Sequence, residues 1–378
     1  MHVYVHVPFC ARRCSYCDFS IAVRRSVPSA EFAALVTAEW RAWQSAPWWA
    51  EVGAVETIHF GGGTPSRLDP GAIGHLIAAV RADRPVAPDA EVTLEANPED
   101  VTAAAAAGWV AAGVNRISLG VQSFHAESLA WMHRSHGVDG PRKAVAELRR
   151  AGITNVSLDL IYALPDTLGR DWTADLDAAF SLEPEHLSFY GLTVEERTPL
   201  GRWVDRGTVQ PALDQRAAAE YLEAHARLAG AGFRHYEVSN AARPGFESRH
   251  NLAYWRRATY LGLGPSAHGA HGSDRWWNIH DWAEYRRVQS AGRSVVAGSE
   301  RLESRQVVLE EAYLGLRTDQ GLPADRVDPG VAAELVGQGW AHRTGARIVL
   351  TTEGWLRLDA IAGRSLVDAP GGSGIIPA

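Results

Sequence analysis

Apolar residues gather in short runs along the first half of the chain, and longer stretches with helical spacing separate the runs. Six runs rich in β-branched and apolar residues read as strands: 3–7 (VYVHV), 56–60 (ETIHF), 91–96 (EVTLEA), 115–121 (NRISLGV), 154–161 (TNVSLDLI) and 186–191 (HLSFYG). Helical patterns lie between them at 29–44, 70–83, 99–112, 126–133, 139–151 and 171–181. Pro28-Ser29 with Glu31, and Asp69-Pro70, mark helix starts, with Ser29 or Asp69 as cap. Strand–helix alternation six times over predicts an α/β fold, a parallel sheet with helices outside it.

Six such units suit either an open doubly wound sheet or an incomplete barrel, and the polar residues favour the barrel. In barrels the chemistry collects at the carboxyl ends of the strands. Here a cysteine loop follows the first strand, Gly61-Gly62-Gly63-Thr64-Pro65 the second, and Glu95-Ala96-Asn97-Pro98 ends the third. Gln122 follows the fourth, Asp159 sits near the end of the fifth and Tyr190 ends the sixth. Taken singly, each reads as a surface, turn or capping residue; the succession at one mouth gives them weight. The expected core is a partial (β/α)6 TIM-like barrel.

The cysteine loop changes the picture most. Cys10, Cys14 and Cys17, in C-x3-C-x2-C spacing, are the chain's 3 cysteines, so none has a distant disulfide partner. Three clustered thiolates suit a soft metal site, and a cubane iron–sulfur cluster ordinarily takes four cysteines. One iron would therefore lack a protein thiolate and stand open to a small chelating ligand. The competing reading is a structural zinc site completed by a histidine such as His6, although such sites usually use two separated ligand pairs.

The chain of 378 residues can bury a large core, and its net charge of −7 argues against a general nucleic-acid binder. No apolar run reaches the length of a membrane span, and residues 1–9 are too short and wrongly flanked for a signal peptide. A cytoplasmic protein is expected, in keeping with cysteines clustered for metal rather than paired.

The motifs YVHVPFCARRCSYCDF, HFGGGTPS, LEANPED, GVNRISLGVQSF, SLDLIYALP and HNLAYW give a chain that, from Tyr4 to about Ala270, resembles the radical S-adenosylmethionine (SAM) superfamily. Within it the chain is similar to the oxygen-independent coproporphyrinogen III oxidases and the HemW-type haem chaperones. The resemblance implies a [4Fe-4S] cluster on Cys10, Cys14 and Cys17, whose open iron is chelated by SAM and whose reduced form cleaves SAM to a 5′-deoxyadenosyl radical. It further implies SAM contacts from Tyr4, Tyr16, Gly62, Gly63, Thr64, Glu95, Gln122, Arg134 and Asp159. Two features separate the branches. The oxidases carry another cysteine two residues after the third cluster cysteine, where this chain has Phe19, and His250-Asn251-Leu252-Ala253-Tyr254-Trp255 matches the HNxxYW signature of the chaperones.

The resemblance therefore implies haem binding and delivery to haem-acceptor proteins, with oxidative decarboxylation of coproporphyrinogen III as the alternative. His250 is a candidate iron ligand, since neutral histidine is a common axial ligand and Tyr254 and Trp255 offer flat apolar area. The competing reading of HNLAYW is a core histidine hydrogen-bonded beside packed aromatics. Residues 261–269 read as a glycine-rich turn. Haem transfer is compatible with transient contact at a membrane surface, yet no amphipathic or basic segment marks one.

The expected domains are a core over 1–230, an elaboration carrying HNLAYW over 231–300, and a small helical domain over 301–365. That last domain, with helices near 302–316 and 329–338, a two-stranded wing near 342–350 and a final helix near 353–361, reads as winged-helix-like. A structural or lid role fits the acidic chain better than DNA binding. Residues 366–378, rich in Pro, Gly and Ser, read as a disordered tail.

Overall fold

In a computed structural model the protein is described over residues 1–364, and the tail expected at 366–378 lies outside the described residues. The chain divides into two units, one of residues 1–234 and 239–301, the other of 235–238 and the residues from 302 onward.

The first unit is built on β1 (His2–Val7), β2 (Val55–Gly62), β3 (Val86–Ala96), β4 (Arg116–Gln122), β5 (Val156–Tyr162) and β6 (His186–Gly191). Each pairs in parallel with the next in sequence order. Sequential order decides between the two architectures left by the strand count. A doubly wound sheet reverses its order at a switch point, whereas strands laid down 1 to 6 put every right-handed crossover on one face. The sheet is a partial barrel, and among the described residues β6 does not pair with β1.

The crossovers contain α1 (Ser29–Ala42), α2 (Pro70–Asp83), α3 (Ala103–Ala112), α4 (Ala126–Trp131), α5 (Gly140–Arg150) and α6 (Trp172–Phe180). Asp69 caps α2 by accepting from the Gly71 N–H at 2.8 Å. Ser29 does not cap α1; its hydroxyl accepts instead from the Asp69 N–H at 3.0 Å and ties the two helix starts together. The third helix begins at Ala103 rather than 99, because Pro98–Asp100 forms a separate turn and Thr102 caps α3 by accepting from the Ala105 N–H.

Side chains on the strands divide by face. The outward positions are apolar, among them Val3, Val5, Ile58, Phe60, Leu94, Ile117, Leu119, Leu158, Leu160 and Phe189, all almost wholly buried under the helices. Each such side chain contributes about 1.5–3 kcal/mol. The inward positions are polar: Tyr4 on β1, Thr57 and His59 on β2, Glu91, Thr93 and Glu95 on β3, Arg116 and Ser118 on β4, Ser157 and Asp159 on β5, His186 and Ser188 on β6. A barrel interior is ordinarily packed with branched apolar residues; this one is lined for hydrogen bonding.

Further strands protect both edges. β7 (Asn240–Ala242) pairs antiparallel with β6. On the other side β8 (Tyr260–Leu263) adds a parallel strand to β1, followed by antiparallel β9 (His268–His271), β10 (Asp274–Asn278) and β11 (Val296–Arg301). The segment expected as a glycine-rich turn is thus a strand and the bend after it. Gly262 is needed because a Cβ there would stand 1.9 Å from the His268 carbonyl oxygen, and Gly264 turns the chain at φ +90°.

In the second unit, α-helices Ser304–Leu316 and Pro329–Gly337 lie beside a three-stranded sheet of Leu322–Pro323, Ala341–Thr344 and Arg347–Leu350, followed by short helices Thr352–Trp355 and Leu358–Ala362. Leu316, Leu335, Ile348, Leu358 and Ile361 form its buried apolar residues. Arg317 pairs with the fully buried carboxylate of Glu237 at 2.9 Å. Helix, strand, helix and hairpin in this order give the winged-helix-like layout.

Candidate active site at the barrel mouth

The loop after β1 is a closed excursion. Phe9–Cys10 pairs in parallel with Ala22–Val23, and the Arg24 N–H returns to the Cys10 carbonyl at 2.9 Å. Within the loop the Ser15 N–H donates to Met132 O at 3.3 Å while Ser15 O accepts from the Leu200 N–H at 2.8 Å. The backbone therefore holds the three cysteines against the ends of β1, β4 and β6 without any cross-link. All three are free thiols, Cys10 buried and Cys14 and Cys17 half-buried.

Donors are aimed at their sulfurs. The Thr64 hydroxyl donates to Cys10 Sγ at 3.4 Å and an Arg134 N–H to Cys14 Sγ at 3.7 Å. Burial pushes the Cys10 thiol up and the Cys17 thiol to about 11. Metal ligation requires thiolates, so hydroxyl and guanidinium donors on the sulfurs are the kind of support a thiolate set needs.

A cavity of about 520 Å³ opens above the loop, lined by the three cysteines together with Tyr16, Gly62, Gly63, Thr64, Glu95, Gln122, Arg134 and Asp159. Eight of the nine residues implied as SAM contacts thus converge on one space large enough for a cluster and a nucleotide-sized ligand. Tyr4 lies one layer deeper, its ring against Gly61 and its hydroxyl bonded to His6 Nδ1 at 3.2 Å.

The glycine run permits close approach of β1 and β2. Gly62 has φ +109°, and a Cβ there would stand 2.6 Å from the His6 ring; one on Gly63 would stand 2.8 Å from the Pro8 backbone. The Gly62 N–H donates to Glu95 Oε2 at 3.1 Å, and His59 Nε2 bonds Oε1 at 3.1 Å. Glu95 is consequently held from two sides with its remaining lone pairs toward the mouth. Asp159 accepts from Ser118 Oγ at 3.0 Å, and burial pushes its carboxyl up to about 6. Gln122 follows an irregularity in the β4–β5 ladder and adopts φ +67°, a rare conformation for a side-chain-bearing residue. Arg134 is committed to the wall, donating to Asn97 Oδ1 at 2.6 Å and Gly120 O at 2.7 Å. The Tyr16 ring packs on Leu129, Met132, Ile161 and Leu164, with its hydroxyl bonded to Cys14.

His6 does not complete a zinc site. Its Nε2 bonds Ser20 O at 3.0 Å and its Nδ1 bonds the Tyr4 hydroxyl, so neither nitrogen is free for a metal. Among the described residues no three His, Cys, Asp or Glu side chains are placed to enclose a single ion. A cubane does not ask for such convergence, since it spreads its thiolates over separate irons.

HNLAYW lies at the opposite end of the barrel from the cysteines. It forms the helix Arg249–Trp255, which plugs the floor. The buried Glu91 carboxylate accepts the Arg249 N–H at 3.0 Å and the His250 N–H at 3.1 Å. His250 is 1% exposed; its Nδ1 bonds Thr57 Oγ1 at 2.6 Å and its Nε2 bonds the Tyr254 hydroxyl at 2.8 Å. Burial holds it neutral. The reading of a core histidine bonded beside packed aromatics describes this arrangement as it stands.

Sequence reasoning missed His59, Ser118 and Arg116 as parts of the lining and Glu91 as the carboxylate beneath the floor helix. A signal was present: every second residue is polar in strands such as VSLDL and RISLG, whereas parallel strands buried on both faces are usually apolar throughout.

Residues 4–179 match the radical SAM superfamily. The heme chaperone HemW of Mycobacterium tuberculosis is 38% identical over 362 residues, 95% of this chain and 93% of that protein. The heme chaperone HemW of Escherichia coli is 40% identical over 271 residues, 71% of this chain and 70% of that protein. Among solved structures, the coproporphyrinogen III oxidase HemN of Escherichia coli, a radical SAM enzyme, superposes with a TM-score of 0.78 at 22% identity, covering 96% of this chain and 88% of that one. At that identity the likeness establishes the fold. Similarity over nearly the whole length, with the cysteine loop and the mouth inside the matched span, places this chain in the HemW family of the radical SAM superfamily.

Proposed function

We propose that this chain binds haem and passes it to acceptor proteins, holding a [4Fe-4S] cluster on Cys10, Cys14 and Cys17 and SAM in the mouth above them. The observation that carries the reading is the identity of 38% over 95% of this chain and of 40% over 71% of it to two proteins named heme chaperones. Phe19 supports it: the residue is 65% exposed and lines the mouth at the position where the oxidases carry a further cysteine.

When bound, the cluster supplies a one-electron reductant with one iron open to the amino and carboxylate groups of SAM. The chain's own residues do the rest. Thr64 and Arg134 donate to cluster-ligand sulfurs, Gly62 and Gly63 keep the wall clear, and Glu95 and Asp159 offer acceptors to hydroxyl or ammonium groups. His250 would hold haem iron through Nε2 only in place of its bond to the Tyr254 hydroxyl. No described helix is long and apolar enough to cross a membrane; the reading places the protein in the cytoplasm, with any membrane contact transient and at the surface.

Anaerobic titration with haemin, followed by the haem absorbance band, tests the proposal. Saturable binding near one haem per chain is expected, and a chain that binds no haemin is not a chaperone. Turnover of coproporphyrinogen III with SAM and a reductant would replace the proposal with the oxidase reading.

A further inference from the structure

Among the described residues Arg116 is a charged group in the barrel with no partner. It begins β4, points inward and is 2% exposed. Its Nε is sealed from solvent without a hydrogen bond, and among the described residues no hydrogen bond or ion pair engages the rest of the guanidinium. The other buried arginines are served: Arg170 by Asp175 and Glu220, Arg134 by Asn97 and Gly120. A guanidinium stays charged and carries five donors, so an unpaired one in a protein interior is strongly unfavourable.

It faces a cavity of about 170 Å³ beneath the mouth, enclosed by Tyr4, His59, His186, His250, Asn251 and Tyr254. Glu95, Ser118, Asp159 and Tyr190 line both this cavity and the mouth, so the two spaces adjoin. The two carboxylates form no ion pair with Arg116, although its charge reaches Asp159. Glu95 is engaged by His59 and the Gly62 N–H, Asp159 by Ser118, and neither comes within ion-pairing distance of the guanidinium. His186 and His250 are neutral through burial, which leaves them as hydrogen-bonding rather than charged walls.

We propose that Arg116 anchors an interior oxyanion site that accepts a carboxylate group. The planar fork of a guanidinium matches a carboxylate in two parallel hydrogen bonds, and a space of 170 Å³ admits a small carboxylate with a few waters, each taking about 30 Å³. A dianion is disfavoured, because Glu95 and Asp159 share the cavity. The carboxylate is either a free small acid or an acidic arm of a larger ligand seated in the mouth; this second source rests on the haem reading, since haem carries two propionates.

The test uses the full chain with its cluster, handled anaerobically. Calorimetric titration compares propionate with propionamide, and spectral titration compares haemin with its dimethyl ester, in the wild type, Arg116→Gln and Arg116→Met. The site stands if propionate binds at least tenfold tighter than propionamide, or haemin at least tenfold tighter than its ester, and the difference vanishes in both variants. The first discrimination identifies a free acid, the second a haem propionate. The proposal falls if the wild type shows neither discrimination, or if one persists without Arg116. A wild type that binds no haemin sinks the haem reading, while the propionate arm still decides the site. Should one variant fail to fold, the other carries the comparison, and a wild type without either discrimination still overturns the proposal.

Discussion

Replacing Glu91 with leucine should open the floor of the barrel. Glu91 is 6% exposed, and its two oxygens accept the first backbone N–H groups of the floor helix at 3.0 and 3.1 Å. Hydrogen bonds to a charged group contribute about 1.5–3 kcal/mol each, so removing both costs about 3–6 kcal/mol. Relief of the buried charge in the near-isosteric leucine offsets part of this, and about 3 kcal/mol is the expected net loss. Since 1.4 kcal/mol is tenfold, the opening equilibrium of Arg249–Trp255 should rise by about 100-fold or more. Native-state hydrogen exchange reads this directly: the amides of 251–255 should exchange at least 100-fold faster, with those of β4 as the internal reference. Glu91→Gln, which keeps one acceptor, should fall between. If exchange over 251–255 changes by less than about fivefold in Glu91→Leu, the floor is held by something other than this carboxylate, and the argument is wrong.

Gly62→Ala must tolerate φ +109° and a Cβ 2.6 Å from a His6 ring that is fixed at both nitrogens. Strain and overpacking of about 1–3 kcal/mol each should lower the urea midpoint and the iron content, whereas Gly137→Ala, with nothing within 4 Å, should leave both unchanged. Glu39 is fully buried, bonded to the Tyr285 hydroxyl at 2.6 Å, the Gly264 N–H at 2.8 Å and Asn278 Nδ2 at 2.6 Å, and burial pushes its carboxyl from 4.5 up to about 7. A raised folded value means the stabilising contribution is complete below about pH 4.5 and is lost as pH rises through about 7, a change of about 3 kcal/mol. Wild-type stability should therefore fall relative to Glu39→Gln across that interval, and parallel pH profiles would refute the assignment. Arg134→Lys keeps the charge but cannot serve Asn97 and Gly120, held by Nη2, and Cys14 Sγ, held by Nη1, at once; loss of a bond to this charged group, about 1.5–3 kcal/mol, should loosen the wall and lower the SAM affinity of the cluster-loaded protein in equilibrium dialysis, and unchanged affinity would show that the wall does not need it.

The six strand–helix units, the cysteine loop and the glycine run were legible in the sequence, because each is written in neighbouring residues. Apolar spacing within ten residues distinguishes strand from helix, and three thiols within eight positions leave few chemical alternatives. The strand order, the additional parallel strand Tyr260–Leu263 and the tie between Ser29 and Asp69 were not legible, since they depend on which surfaces meet.

The same limit separates the mouth from the floor. Cys10, Gly62, Glu95 and Gln122 lie at or just past the carboxyl ends of the first four strands, so topology alone gathers them. His250 is different: its place is decided by Glu91, 159 residues away, and Thr57, 193 residues away. Its motif reads equally as ligand or as core until those partners are known. Arg116 likewise looks like one more strand residue in the sequence, and only the assembled barrel reveals that no described residue pairs with its guanidinium. Local pattern fixes what each segment is; burial and pairing, which act between segments distant in sequence, decide what each polar side chain is for.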